Sequence, residues 1–158
     1  MPKAIVTGAA GHIGYHVTKV LLAKHYDVHL LVRSINTNII ELQDAGAKVY
    51  PCNLFETNSY AAIIKDADVL FHLAAENTTS MSNASRVLEN TDKLTQTVLQ
   101  ACHENTVKTV IYTSSVVVIG RSADANRPLT EKDVNPFAES PYVLGKMQAE
   151  KFVANFIQ

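Results

Sequence analysis

Lys3-Ala-Ile-Val-Thr-Gly-Ala-Ala-Gly-His-Ile-Gly14 is the stretch whose reading decides the fold. Ala4 to Val6 is a short apolar run that reads as a buried strand, and Thr7-Gly8 ends it. Gly8, Gly11 and Gly14 punctuate a tight turn, after which Ile13, Val17, Val20 and Leu21 recur at helical spacing. A strand, a glycine turn and a helix start together present free backbone N–H groups to a phosphate. Glycine permits the turn, lets the backbone approach an anion and lets helix and strand pack tightly. The spacing G-x-x-G-x-x-G is one residue longer between its first two glycines than G-x-G-x-x-G. A glycine triplet alone is weak; the flanking strand and helix raise it.

Outward from this stretch, strand and helix signals alternate. Val28 to Val32, Ala47 to Pro51, Asp68 to Leu73 and Val107 to Thr113 read as further strands. Asn36 to Ala45, Asn58 to Lys65, Arg86 to His103 and Pro141 to Phe156 read as helices. The Asn58 helix is expected to run about two turns. Repeated β-α units argue a parallel sheet covered by helices on both faces. Right-handed crossovers then give a doubly wound sheet of order 3-2-1-4-5. Gly120 to Ser140 is the longest irregular piece, and Glu76 to Ser85, with Met81, reads as an active-site loop.

Bulk properties narrow the function. The 158 residues suit one domain, and 47% hydrophobic with 18% charged residues is ordinary for a globular chain. A net charge of −1 favours neither nucleic acid nor an anionic membrane. No apolar run is long enough for a membrane helix, and the N-terminus enters a strand directly. Cys52 and Cys102 read as reduced structural thiols, which points to a cytoplasmic location. His12 and His16 stand at i, i+4, but no third ligand has useful spacing, so no metal site is expected. His12 reads as a helix-start residue near the phosphates, and His72 as a core or near-cofactor residue.

Ligands of doubly wound sheets bind beyond the carboxyl ends of the strands. The second strand ends in Arg33-Ser34 with no carboxylate. Arg33 suits a ribose 2′-phosphate by charge and forked donors, which favours NADP over NAD. Asn53-Leu54 follow the third strand and are placed to touch an adenine. Leu73, Ala74 and Ala75 follow the fourth and let a flat ring or ribose lie against the backbone. The fifth strand ends in Thr113-Ser114-Ser115, and the last helix opens with Tyr142-Val-Leu-Gly-Lys146. Tyr142 and Lys146 share a helix face at i, i+4. A neighbouring ammonium lowers a phenol's pKa from about 10, so Tyr142 can exchange a proton with a substrate oxygen. Ser115 can hydrogen-bond the same oxygen.

These pieces resemble the extended short-chain dehydrogenase/reductase family, the NAD(P)-dependent epimerases, dehydratases and reductases. Thr7-Gly-Ala-Ala-Gly-His-Ile-Gly14, Phe71-His-Leu-Ala-Ala75, Asn90, Thr113-Ser-Ser115 and Tyr142-x-x-x-Lys146 fall in family order across the whole chain. Leu30-Leu-Val-Arg33 is similar to the dihydroflavonol reductase-like branch, which generally uses NADPH. The resemblance implies a Rossmann-type NAD(P)-binding domain over residues 1–158. It implies cofactor contacts from Gly8, Gly11, His12, Ile13, Gly14, Arg33, Asn53, Leu54, Leu73, Ala74, Ala75, Tyr142 and Lys146. It implies Ser115, Tyr142 and Lys146 as the catalytic triad, with Asn90 as a helper and Lys146 also on the nicotinamide ribose. The partner is then a small-molecule carbonyl or alcohol. Two rivals stand beside a reductase: an NAD-dependent nucleotide-sugar epimerase or dehydratase, and a non-catalytic nucleotide-sensing protein. Such sensors commonly lose the Tyr–Lys pair, which this chain keeps.

Three features depart from the family pattern. Asn53 stands where an Asp is usual, and Val116-Val-Val-Ile-Gly120 replaces the usual small-residue and Tyr-Gly sequence. Family members also continue past the Tyr–Lys helix, through more strands and a substrate-binding region. The chain is therefore expected to be the N-terminal part of a longer protein, its sheet truncated before the later strands. This piece is expected to be inactive alone, with weak NADPH binding retained. Val107 to Ile119 would form a long apolar edge, from which self-association is expected.

Overall fold

A computed structural model of the chain describes residues 1–75, 84–134 and 140–156. Five strands form one parallel sheet in the order β3-β2-β1-β4-β5. They are β1 (Lys3–Thr7), β2 (Asp27–Val32), β3 (Lys48–Pro51), β4 (Val69–His72) and β5 (Val110–Tyr112). The helices are α1 (His12–Ala23), α2 (Thr37–Asp44), α3 (Ala61–Ile64), α4 (Ala84–Glu104) and α5 (Pro141–Phe156). The doubly wound order expected from the β-α alternation is the order observed.

Successive strand residues point to opposite faces, and both faces are covered. Ala4, Val6, Val28, Leu30 and Val32 pack with Leu21 of α1 and with Ile39 and Leu42 of α2. Ile5, Leu31 and Leu70 pack on the other face with Tyr60, Ile64 of α3, and Val98, Ala101 and Cys102 of α4. That double burial explains why β1 and β2 read as continuous apolar runs rather than as alternating ones. Cys52 and Cys102 are free thiols, and burial pushes Cys102 up to about 12, which keeps it protonated.

Two elements differ from their sequence reading. The expected two-turn helix at Asn58–Lys65 is a 3-10 turn at Thr57–Ser59 followed by the single turn α3. Tyr60 interrupts it at φ −140° and ψ −3°, a departure that buries its ring to 1% exposure. The expected strand Val107–Thr113 shortens to β5. Val107 still closes the end of α4, its N–H donating to the Cys102 carbonyl, with Thr106 at φ 55°. Beyond β5, Val116–Val118 is a 3-10 turn, not strand. The long apolar edge Val107–Ile119 therefore does not form. The edge strand has three residues, and self-association no longer follows from it.

The chain divides into two compact units, residues 1–75 with 97–113, and residues 76–96 with 114–158. The first holds the whole sheet with α1, α2, α3 and the last turns of α4. The second holds the earlier turns of α4, the 3-10 turn and α5. In its irregular segment the Asp133 carboxylate accepts the Thr130 N–H at 2.9 Å and pairs with Arg127 at 2.8 Å. The expected loop Glu76 to Ser85 falls mostly on 76–83, outside the described residues.

Candidate functional site

In the first unit the ends of β1 and β4 are flush, with Thr7 paired to His72. Both side chains are buried. The Thr7 hydroxyl lies 2.9 Å from His72 Nδ1 and accepts the Leu73 and Ala74 N–H groups, each at 3.2 Å. One buried hydroxyl thus fixes Leu73 and Ala74, two of the candidate cofactor residues. Gly8 lies against them at φ +76°, and a Cβ there would come within 2.7 Å of the Ala74 nitrogen and 2.8 Å of the Leu73 carbonyl carbon. Gly14 is as tight, since its Cβ would lie 2.3 Å from the Gly8 carbonyl oxygen.

Gly11 is different. It precedes α1 at φ −86° and ψ 170°, and among the described residues a Cβ there would meet only the Gly8 oxygen, at 3.4 Å. The packing of the described residues does not require glycine at this position. Among the described residues no side chain caps α1, so its first N–H groups, on His12, Ile13 and Gly14, point out beside Gly11. Gly11, His12 and Ile13 are exposed, and no acidic residue occupies the first turn. Unclaimed donors and a glycine kept free of packing fit a phosphate of a dinucleotide. His12 and His16 pack edge to face with ring centres 4.8 Å apart. Among the described residues no group of three His, Cys, Asp or Glu is arranged to hold a metal.

Arg33 follows β2 and is exposed; among the described residues it makes no hydrogen bond or ion pair. Asn53 is partly engaged in its own turn. Its Oδ1 accepts the Phe55 N–H at 3.1 Å and its Nδ2 donates to Glu56 at 2.8 Å, leaving one lone pair on Oδ1 for an adenine amino group. The neighbouring Leu54 is held by a residue the sequence did not single out: the Tyr60 hydroxyl donates to the Leu54 carbonyl at 3.2 Å. Burial pushes that phenol above its usual range.

Asn90, Ser115, Tyr142 and Lys146 all lie in the second unit. Helix α5 buries Pro141, Gly145, Lys146 and Ala149. Gly145 sits on α4, where an added Cβ would lie 3.0 Å from Thr91 Cβ. Thr91 adjoins Asn90, so this crossing brings the helix bearing Asn90 against the helix bearing Tyr142 and Lys146. A glycine inside a helical pattern was the available signal for that close approach. Tyr142 is half-buried, whereas Lys146 is only 5% exposed. Burial lowers the Lys146 pKa from its usual value, and Glu150 one turn on opposes part of that shift. Ser115 precedes the 3-10 turn, its Oγ accepting the Val117 N–H at 3.5 Å. A hollow of about 580 Å³ opens beside Ser115, against Met147, Glu150, Lys151 and Ala154 of α5; neither Tyr142 nor Lys146 lines it. The cofactor candidates and the catalytic candidates thus fall in separate units, apart from Tyr142 and Lys146, named for both roles.

The model of the NAD dependent epimerase/dehydratase family matches residues 4–158. The chain belongs to this family. Its relatives in the epimerase/dehydratase family have differing activities. It is 32% identical to an uncharacterized oxidoreductase of Schizosaccharomyces pombe, over 84% of this chain and 43% of that one. It is 30% identical to cinnamoyl-CoA reductase 1 of Petunia hybrida, over 92% of this chain and 47% of that one. Among solved structures it is similar to a mutant UDP-glucuronic acid 4-epimerase from Bacillus cereus, in complex with NAD and a UDP-sugar analogue. That likeness has a TM-score of 0.82 and 26% identity, and covers 98% of this chain and 52% of the other. The chain spans about half the length of the curated relatives it matches. Among the described residues no helix is long and apolar enough to cross a membrane.

Proposed function

We propose that this epimerase/dehydratase-family protein is an NAD(P)-dependent oxidoreductase that interconverts a carbonyl and an alcohol of a small molecule. The burial of Lys146 one turn after Tyr142 carries the reading. An i, i+4 Tyr–Lys pair on an open helix face is an ordinary surface pair. A lysine kept 5% exposed is a desolvated cation, and such groups concentrate where charge is used.

The chain's own groups then have distinct tasks. Gly8, Gly11 and the first N–H groups of α1 bind the diphosphate, and Leu73 to Ala75 back the ribose. Asn53 and Leu54 meet the adenine. Arg33 favours NADP, because a guanidinium fork matches a 2′-phosphate and repels nothing there. The dinucleotide supplies hydride chemistry when bound. Lys146 stabilises the Tyr142 phenolate electrostatically and orients the ribose, and Tyr142 gives a proton to, or takes one from, the substrate oxygen. Ser115 donates a hydrogen bond to that oxygen, and Asn90 helps on the substrate side. The test is NADPH oxidation by the complete protein with a panel of aldehydes and ketones. Tyr142→Phe is expected to lower turnover about 10²- to 10⁴-fold; turnover equal to the parent's refutes the role.

A second reading, an NAD-linked nucleotide-sugar epimerase, is favoured by the likeness to the Bacillus cereus enzyme described with NAD. Tight NAD+ and weak NADP+ binding would select it. If NADP is preferred, Arg33→Asp is expected to reverse the preference.

A further inference from the structure

Asn36 stands between two parts of the proposed cofactor site. Its Oδ1 accepts the Ile39 N–H at 3.0 Å and caps α2. Its Nδ2 donates to the Ala10 carbonyl at 3.4 Å, inside the glycine turn between Gly8 and Gly11. Arg33, Ser34 and Ile35 are the whole connection from β2 to this cap, and all three are exposed. Further along, the Tyr15 hydroxyl and Lys19 Nζ both donate to the Glu41 carboxylate, which fastens α1 to α2. The lower clasp joins helix to helix. The upper one joins the Arg33 loop to the turn.

We propose that Asn36 is a positioning residue for 2′-phosphate discrimination, its side chain holding the Arg33–Ile35 loop at a set distance from the glycine turn. The inference rests on the NADP reading given above. NADP must meet the turn with its diphosphate and Arg33 with its 2′-phosphate at once. If loop and turn are already joined, the second contact costs little ordering. NAD has no 2′-phosphate and gains little from the bridge. The cap alone cannot provide this, since it binds Asn36 to its own helix and not to Ala10.

Asn36→Ser separates the two bonds. A serine hydroxyl caps a helix well, but it is one atom shorter than the Asn amide and cannot span a bridge already 3.4 Å long. NADP+ and NAD+ titrations of the full chain by calorimetry are expected to show the NADP+ Kd rising about three- to tenfold and the NAD+ Kd changing less than about twofold. Melting temperature and helical circular dichroism should stay close to the parent's. In an Arg33→Ala background the same change is expected to add nothing, because Asn36 acts through Arg33. Asn36→Thr, which also caps, replaces the Ser variant if that one folds poorly. An unchanged NADP+/NAD+ ratio, equal weakening of both cofactors, or losses additive with Arg33→Ala would each overturn the proposal. A parent protein with no preference for NADP+ would instead bring down the NADP reading, and this inference with it.

Discussion

Gly11→Ala distinguishes a glycine kept for a ligand from one kept for packing. Gly11 has φ −86° and ψ 170°, a conformation open to any residue. Among the described residues its added methyl meets only the Gly8 oxygen, at 3.4 Å, an ordinary contact. The fold objects only through the weaker capping of Ala relative to Gly, offset in part by lower entropy of the unfolded chain, so stability should change by less than about 1 kcal/mol. In the proposed cofactor site the methyl would nevertheless stand where a phosphate approaches the turn. Dinucleotide Kd should rise at least about tenfold, or about 1.4 kcal/mol. Gly14→Ala is the contrast. Its Cβ would lie 2.3 Å from the Gly8 oxygen, 2.7 Å from the Gly8 carbonyl carbon and 2.8 Å from Ala9 Cα, all backbone. The turn and α1 would have to separate by about 1 Å, an overpacking cost of about 1–3 kcal/mol, reduced by the roughly 1 kcal/mol that Ala gains over Gly within a helix. Urea unfolding followed by circular dichroism reads the stability, and quenching of NADPH fluorescence reads the affinity. Gly11→Ala binding as tightly as the parent, or losing as much stability as Gly14→Ala, would refute the reasoning.

Other consequences follow from single residues. Lys146→Met should lower turnover of the complete protein about 10²- to 10⁴-fold while raising its melting temperature. A buried lysine with a lowered folded pKa opposes folding while it must be charged, and this penalty fades as pH rises through the folded value toward the unfolded 10.5. The parent should therefore gain stability on moving into that alkaline range, and Lys146→Met should lose that gain in a pH series of melts. His25 follows Lys24, the C-cap of α1, at φ 59°, so His25→Gly should stabilise by about 0.5–1 kcal/mol, a rise of about 1–4 °C in a thermal melt. Thr106→Gly at φ 55° should gain less, because it also loses the Thr106 hydroxyl bond to Asp66 at 2.5 Å. Asp27 is held below the usual carboxylate range by Lys48 first and by His29, and Asp68 by Lys108 first and by the Lys3 N–H. Depressed carboxylates stabilise above the unfolded pKa and lose that contribution as pH falls through the folded values. Acid titrations should show Asp27→Asn with a shallower loss of stability below about pH 4 than the parent.

Much of the fold was legible because it is written in local periodicity. Continuous apolar runs at Ala4–Val6 and Val28–Val32 announced strands buried on both faces, and the glycines at 8, 11 and 14 marked the strand-to-helix turn. The pairing of Tyr142 with Lys146 needed only the helical repeat. The β5 edge was misread because Val107 looks like strand by composition, yet its N–H is committed to ending α4. Nothing in composition records that commitment.

The sequence by itself determined the order of elements, the glycine turn between β1 and α1, and the residue types on which the proposed dinucleotide and proton-transfer roles rest. These depend on neighbours a few positions apart, where spacing and stereochemistry suffice. Only the tertiary structure decided which glycines serve packing and which leave space, that Lys146 is buried, and that Thr91 receives Gly145. The same holds for the bond from Asn36 to Ala10 and the contact of Thr7 with His72, which join residues 26 and 65 positions apart. Such contacts depend on strand register and helix packing, which the whole chain sets together and no single stretch displays.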